Sequence, residues 1–380
     1  MPAARALLIG LRRAPRSAAA PVDPHLDSAR RAGLRYAMDR TPGITRDAAG
    51  DGFVYRYPDG RRVRDAGTLA RIRALAIPPA WTRVWIAPTP NLHIQATGRD
   101  AKGRKQYRYH ARWTEVRDEA KYGRLVDFAH VLPAIRRRVE ADLRRPPLSR
   151  ERVLATVVRL LERTSMRIGN DEYVRANGSY GLTTLRNRHV SIRGPRLLFR
   201  FRAKSGIVQQ VQLEDARLAR SVKRLQELPG QTLFQYVDAD GQRQRVDSDD
   251  VNAYLRAASG QDFTARDFRT WAATVEAACA LETAEIAAST AGQKREINKA
   301  IAHVAGQLGN TRAVCRKCYV HPEVLASFMR GETIGAIRQT TQGRRTRGLT
   351  ADETAVVALL QRRVRVARRT VGDLRELKSA

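Results

Sequence analysis

The sequence predicts an α+β protein: a small β-rich amino-terminal domain followed by a larger, mainly helical one. Two patterns carry that reading. Between Gly52 and Tyr109, short apolar runs alternate with turn signals such as Pro58-Asp59-Gly60. Beyond Leu125, apolar residues recur at helical spacing. A chain of 380 residues with 43% apolar content has material for more than one core.

The elements follow in order. Residues 1–24 are rich in Ala and Arg and hold no acid before Asp23, and they are expected to be disordered. Asp27 to Asp39 reads as a short helix. Gly52-Phe53-Val54-Tyr55-Arg56-Tyr57, the Pro-Asp-Gly turn and Arg61-Arg62-Val63 read as a hairpin. Thr68 to Leu75 reads as a helix opened by a capping Thr. Val84 to Ala87, Leu92 to Thr97 and Gln106 to Tyr109 are the next strands, closing a domain over 25–117. A mainly helical domain is expected over 118–345. It includes helices from Leu125 to Leu143 and Ser149 to Thr164, then a hairpin of Leu198–Arg202 and Ile207–Leu213 turning at Ala203-Lys204-Ser205-Gly206. Further helices are expected over Asp215–Leu228, Asp247–Ala258 and Arg266–Ala287. The helix from Lys294 to Leu308 carries Ile297, Ile301, Val304 and Leu308 on one face. Residues 346–380 are basic, with a helix from Ala351 to about Arg369.

Charge narrows the function classes. Lys and Arg number 70 against 38 Asp and Glu, a formal charge of +32. The excess is spread over the whole length. It fits folded domains on a polyanion, with nucleic acid as the partner, and predicts strongly salt-dependent binding. No apolar stretch approaches a membrane span. Three cysteines, Cys279, Cys315 and Cys318, make no disulfide framework and point to a reducing compartment. Cys315 and Cys318 have zinc-like spacing and His321 is near, but a fourth ligand is missing, so no metal site is expected.

Four clusters carry chemistry. Arg167 stands in Met166-Arg167-Ile168-Gly169-Asn170, where Gly169 permits a close turn. Lys204 stands at the tip of the expected hairpin, where an ammonium projects. Arg269 stands in Arg266-Asp267-Phe268-Arg269-Thr270-Trp271 at a helix start, a favourable place for phosphate, although pairing with Asp267 is the plainer reading. Asn310 follows a helix that stops at Gly309, and Thr311 caps a short helix carrying Tyr319. Taken singly, each is an ordinary surface Arg, turn Lys or structural aromatic.

Their order and spacing resemble the type IB DNA topoisomerases, in the small poxvirus-like branch found in bacteria, from about Leu26 to Met329. The resemblance implies the fold shared with tyrosine recombinases, closing on DNA as a C-shaped clamp. It implies Arg167, Lys204, Arg269, Asn310 and Tyr319 as the catalytic set. Poxvirus members carry His at the position of Asn310, and bacterial relatives carry Asn. The segment Asp100-Ala101-Lys102-Gly103-Arg104-Lys105-Gln106-Tyr107-Arg108-Tyr109 is similar to the family's DNA-contacting segment. The resemblance implies Gln106, Tyr107 and Tyr109, with Lys102, Arg104 and Tyr173, as DNA contacts.

The implied activity is relaxation of positive and negative supercoils without ATP or metal, through single-strand cleavage and a 3′-phosphotyrosyl intermediate. No cofactor is expected. The implied partner is double-stranded DNA, with the chain a monomer that has no obligatory protein partner, in the cytoplasm at the nucleoid. A tyrosine recombinase shares the Arg, Lys, Arg and Tyr set, but usually adds catalytic His, and the β-rich first domain argues against it. A non-enzymatic DNA-binding protein fits the charge equally well and leaves the ordered set to coincidence. His189, His303 and His321 read as packing, capping or turn residues.

Overall fold

The computed structural model describes residues 24–50, 52–285, 289–340 and 346–362, and of residues 24, 25, 27 and 118–121 the backbone alone. The expectations for residues 1–23 and 363–380 lie outside the described residues. The chain divides into two compact units, Met1–Lys121 and Tyr122–Ala380.

The first unit opens with α1 (Pro24–Arg31). This helix ends well before Asp39: Gly33 takes a left-handed φ of +68°, and Arg35 then bridges Leu92 in extended conformation. Five antiparallel strands follow: β1 (Ile44–Ala49), β2 (Gly52–Arg56), β3 (Thr82–Ile86), β4 (Ile94–Arg99) and β5 (Lys105–Tyr109), in the order β2-β1-β3-β4-β5. β2 pairs with β1, a strand whose Ile-Thr-Arg-Asp-Ala-Ala sequence gives no alternation signal. The expected return arm 61–63 makes only a bridge between Arg56 and Arg62. α2 (Ala66–Ala74) is capped by Asp65, whose carboxylate accepts from the Thr68 N–H at 2.6 Å, so Thr68 lies inside the helix rather than capping it. β3 is the central strand and is covered on both faces. Val84 and Ile86 pack with Ile44, Ile72 and Ala96, while Trp85 packs with Leu92 and Ile94 on the other side.

The second unit is built around one continuous core. α3 (Ala111–Asp142) begins in the first unit and continues in the second. α4 (Arg150–Thr164) buries Val153, Leu154, Ala155, Val157, Val158, Leu160 and Leu161, more than one stripe, so it is enclosed rather than laid on a surface. Then come α5 (Asp171–Asn177) and a three-stranded antiparallel sheet, β6 (Val190–Arg193), β7 (Arg196–Arg202) and β8 (Val208–Glu214). α6 (Ala216–Gln226), the β9 (Gln235–Val237) and β10 (Arg243–Arg245) pair and α7 (Ser248–Ser259) lead to α8 (Ala265–Glu282). α8 stops five residues before the expected Ala287. α9 (Thr290–Leu308) packs along α8, whose Ala273 and Ala277 permit close approach. α10 (Arg312–Cys318), α11 (Pro322–Met329) and α12 (Ile334–Thr340) complete the series, followed by helical residues 351–362.

That last segment buries Val356, Leu359 and Leu360 in the core and is tied to it further by one carboxylate. Glu353 is 6% exposed. It accepts from Arg136 at 2.7 and 2.8 Å, from the Trp271 indole N–H at 3.1 Å and from the Thr350 N–H at 2.8 Å. Burial opposes its charge, but these donors outweigh burial and hold the carboxyl below its ordinary value. Glu353→Ala removes a buried carboxylate that three groups bind, while the partly exposed Arg136 keeps Glu162, so urea unfolding is expected to show a loss of about 1–3 kcal/mol. Because the folded value is depressed, this stabilisation is present above the ordinary carboxyl value of 4.5 and fades as pH falls through the folded one. The gap between wild type and variant is therefore expected to close in acid.

Candidate active site

Arg167 is set by the way α4 ends. Ser165 takes a left-handed φ of +52°, a conformation that costs a non-glycine residue roughly 1–2 kcal/mol, and Met166 is fully buried beneath it. The chain then lies against the loop before the sheet. The Arg167 carbonyl accepts from Leu182 N–H at 2.9 Å, and the Ile168 carbonyl accepts from Thr183 N–H at 2.7 Å. Two glycines allow this approach. Gly169 has φ of +98°, and a methyl group on Gly181 would lie 2.5 Å from the Gly169 nitrogen.

Arg269 projects from α8 and is 3% exposed. It is not paired with Asp267, whose carboxylate closes a capping box by accepting from Thr264 N–H at 2.8 Å. Instead its Nη1 donates to the Ser165 carbonyl and its Nη2 to the Leu308 carbonyl at 3.1 Å. Its guanidinium ties the end of α4 to the end of α9.

Asn310 follows Gly309, which ends α9 at φ of +60°. The Asn310 N–H donates back to the Ala305 carbonyl at 2.9 Å, a bond that fixes the turn. Its Oδ1 accepts from Arg167 Nη2. Three donors remain: Arg167 Nη1, Arg269 Nε and Asn310 Nδ2 are buried without a hydrogen-bond partner. A buried unpaired donor costs about 1–3 kcal/mol, more when charged. Burial, and then the neighbouring Arg167 cation, push the Arg269 guanidinium down to about 10. A pair of cations and an amide with spare donors is arranged for an oxyanion.

Tyr319 closes α10, a helix opened by Thr311, whose hydroxyl accepts from Val314 N–H at 3.3 Å. Its N–H donates to the Cys315 carbonyl at 3.0 Å, and its carbonyl accepts from the Thr274 hydroxyl of α8 at 3.2 Å. The ring is half-buried, with the Arg269 guanidinium carbon 5.2 Å from its centroid. Direct contacts thus pair Arg167 with Asn310 and Arg269 with Tyr319, and the Arg167 cation is close enough to Arg269 to lower its pKa. Sequence reasoning passed over Thr274, whose signal was a polar, β-branched residue within an Ala-rich helix.

Lys204 stands apart from these four. It is exposed in the turn between β7 and β8, with Ser205 at φ of +67°. The hairpin places Lys204 at a projecting tip, as its sequence implies. In the first unit, Tyr107 and Tyr109 are exposed and stacked, with centroids 5.8 Å apart, and Lys105 lies over Tyr107. Lys102 is exposed in the turn before β5. Arg104 and Gln106 both bind Asp100, at 2.8 and 2.9 Å. The carboxyl is lowered to about 2, chiefly by Arg104. Tyr173 is 55% exposed on α5.

The remaining candidates have structural duties. His189 accepts from Arg186 N–H at 3.1 Å and packs on Tyr180, with centroids 4.5 Å apart. His303 meets Glu276 at 3.0 Å. His321 caps α11 and packs on Tyr122. Cys315 is buried, and burial pushes its thiol up to about 11. Among the described residues there is no group of three or more His, Cys, Asp or Glu arranged for a metal, and no helix long and apolar enough to cross a membrane.

Comparison with known proteins gives two family matches and a relative. Residues 110–345 match the family described as eukaryotic DNA topoisomerase I, catalytic core. Residues 52–100 match the bacterial DNA topoisomerase IB, N-terminal domain. The chain is 37% identical over 286 residues to DNA topoisomerase 1B of Acanthamoeba polyphaga mimivirus, an alignment covering 73% of this chain and 85% of the relative.

Proposed function

Since the chain belongs to the type IB DNA topoisomerase family and its function is that of a type IB topoisomerase, we propose that Tyr319 is the nucleophile and that Arg167, Arg269 and Asn310 bind the scissile phosphate. The observation that carries this reading is the set of three buried donors without partners, one of them on the Arg269 guanidinium that lies 5.2 Å from the Tyr319 ring centroid. Their unmet hydrogen bonds match the nonbridging oxygens of a phosphodiester, whose charge grows as the fifth bond to phosphorus forms.

Tyr319 Oη attacks phosphorus in line with the leaving 5′ oxygen, giving a 3′-phosphotyrosyl bond and a free 5′ hydroxyl. The covalent bond conserves the energy of the broken linkage, so the reverse attack religates the strand without ATP. Between the two steps the duplex swivels and supercoils of either sign relax. Asn310 accepts from Arg167 through Oδ1, which leaves Nδ2 free to donate. An amide thus supplies a donor where poxvirus relatives use an imidazole.

Lys204 is the general acid for the leaving oxygen in this scheme. Its exposed place at a projecting turn suits an ammonium that enters the groove only when DNA is bound. Lys204→Ala is expected to slow single-turnover cleavage by roughly 10²–10⁴-fold. A 5′-bridging phosphorothiolate, whose thiolate leaves without protonation, is expected to restore the rate. An unrescued variant removes Lys204 from that role.

Lys102, Arg104, Gln106, Tyr107, Tyr109 and Tyr173 are proposed to contact duplex DNA. The cations would meet phosphates, and the amide and phenols would meet bases and sugars. In the same reading, Arg104 and Gln106 exchange Asp100 for DNA. The chain acts as a monomer that closes on the duplex as a C-shaped clamp, in the cytoplasm at the nucleoid. The test of the whole reading is a denaturing gel that traps a covalent protein–DNA adduct dependent on Tyr319.

A further inference from the structure

Gln209 occupies a place in the fold that packing does not explain. It lies on β8, paired with Phe201 of β7. The inward face of this hairpin is otherwise apolar: Val211 pairs with Phe199 and Leu213 with Leu197, and all four pack in the core. Gln209 is 8% exposed in that row. Among the described residues its amide makes no hydrogen bond. Its amide nitrogen and oxygen are not among the fully buried unpaired atoms, so the polar end of the side chain still meets solvent and its donor is open to a ligand.

The amide lies beside the turn that carries Asn310. It lies against Gly309: a methyl group on Gly309 would sit 3.7 Å from the amide carbon, 3.8 Å from its nitrogen and 4.0 Å from its oxygen. The next residue is Asn310, whose Nδ2 is itself a buried donor without a partner. Gln209 is also five residues along the chain from Lys204, so it joins the root of the Lys204 hairpin to the turn that carries Asn310.

Resting on the reading of Tyr319 and its phosphate-binding donors, we infer that Gln209 is a further catalytic residue, whose amide nitrogen donates to a nonbridging oxygen of the scissile phosphodiester beside Asn310. The open amide donor then exchanges solvent for the phosphate oxygen. It also places a fourth donor on the side of the phosphate reached from β8.

The test is single-turnover cleavage of duplex DNA by the full chain and its Gln209→Met, Gln209→Glu and Tyr319→Phe variants. Methionine keeps length and suits the apolar row. Glutamate keeps shape but removes the donor. Both are expected to cleave roughly 10²-fold more slowly, as for loss of one donor to a developing oxyanion. Noncovalent DNA affinity and unfolding midpoint of Gln209→Met are expected to stay near wild type. The deficit is expected to persist on the 5′-bridging phosphorothiolate, since the lost contact is not to the leaving oxygen. A wild-type rate for Gln209→Met overturns the inference. So does a deficit abolished by the phosphorothiolate, which makes Gln209 a positioning residue for Lys204. If Gln209→Met is unfolded, Gln209→Glu decides by the same two substrates. An adduct formed by Tyr319→Phe sinks the underlying reading instead, whichever way Gln209 behaves.

Discussion

Tyr319→Phe is expected to abolish plasmid relaxation and the covalent adduct while leaving noncovalent DNA binding near wild type. The phenol oxygen is the only atom lost. The ring keeps its place over Arg269, and the backbone keeps its bonds to Cys315 and Thr274. Removing a nucleophile from a covalent mechanism costs on the order of 10⁴-fold or more. The measurement is adduct formation in a denaturing gel beside a gel-shift titration at fixed salt, since affinity for DNA depends steeply on salt. A variant that still relaxed plasmid would end the assignment of Tyr319.

Arg269→Lys is expected to lower the cleavage rate by roughly 10²–10³-fold, the scale for losing one donor to an oxyanion, although the formal charge is unchanged. Arg269 spends Nη1 on Ser165 and Nη2 on Leu308 while Nε stays unpaired. A planar fork serves two carbonyls and an anion at once, and an ammonium on a flexible stem does not. The cation is also already disfavoured, since burial and Arg167 push it down to about 10. A lysine there, with a lower ordinary value, would lose part of its charge closer to neutral pH. The cleavage rate of Arg269→Lys is therefore expected to fall with rising pH well before that of wild type. Equal rates across pH 6–9 for the two proteins would rule out this role for the guanidinium fork.

The candidate site was legible in the sequence to an unusual degree because its parts are local. Gly309 as a helix stop, Thr311 as a cap and the turn around Lys204 are each decided by a few neighbouring residues. Elements set by distant partners were read less well. β1 lacks alternation and exists because β2 and β3 flank it. α1 ends early because Arg35 pairs with Leu92, far along the chain. Asp65 rather than Thr68 caps α2 because helix phase, not composition, decides which side chain faces the free N–H groups.

The sequence by itself determined the strong basic excess, a small β-rich segment followed by a mainly helical one, and, through its resemblance to a family, the candidates Arg167, Lys204, Arg269, Asn310 and Tyr319, since charge, periodicity and short motifs are read locally. The tertiary structure alone decided what those side chains have left to give. Arg167 binds Asn310, Arg269 binds two backbone carbonyls, and one donor on each of Arg167, Arg269 and Asn310 remains unpaired. It alone brought Gln209 against Gly309 and Glu353 against Arg136 and Trp271. A hydrogen bond left unmade is a property of packed surroundings. No single residue carries it, and so it appears only when segments far apart in the chain are brought together.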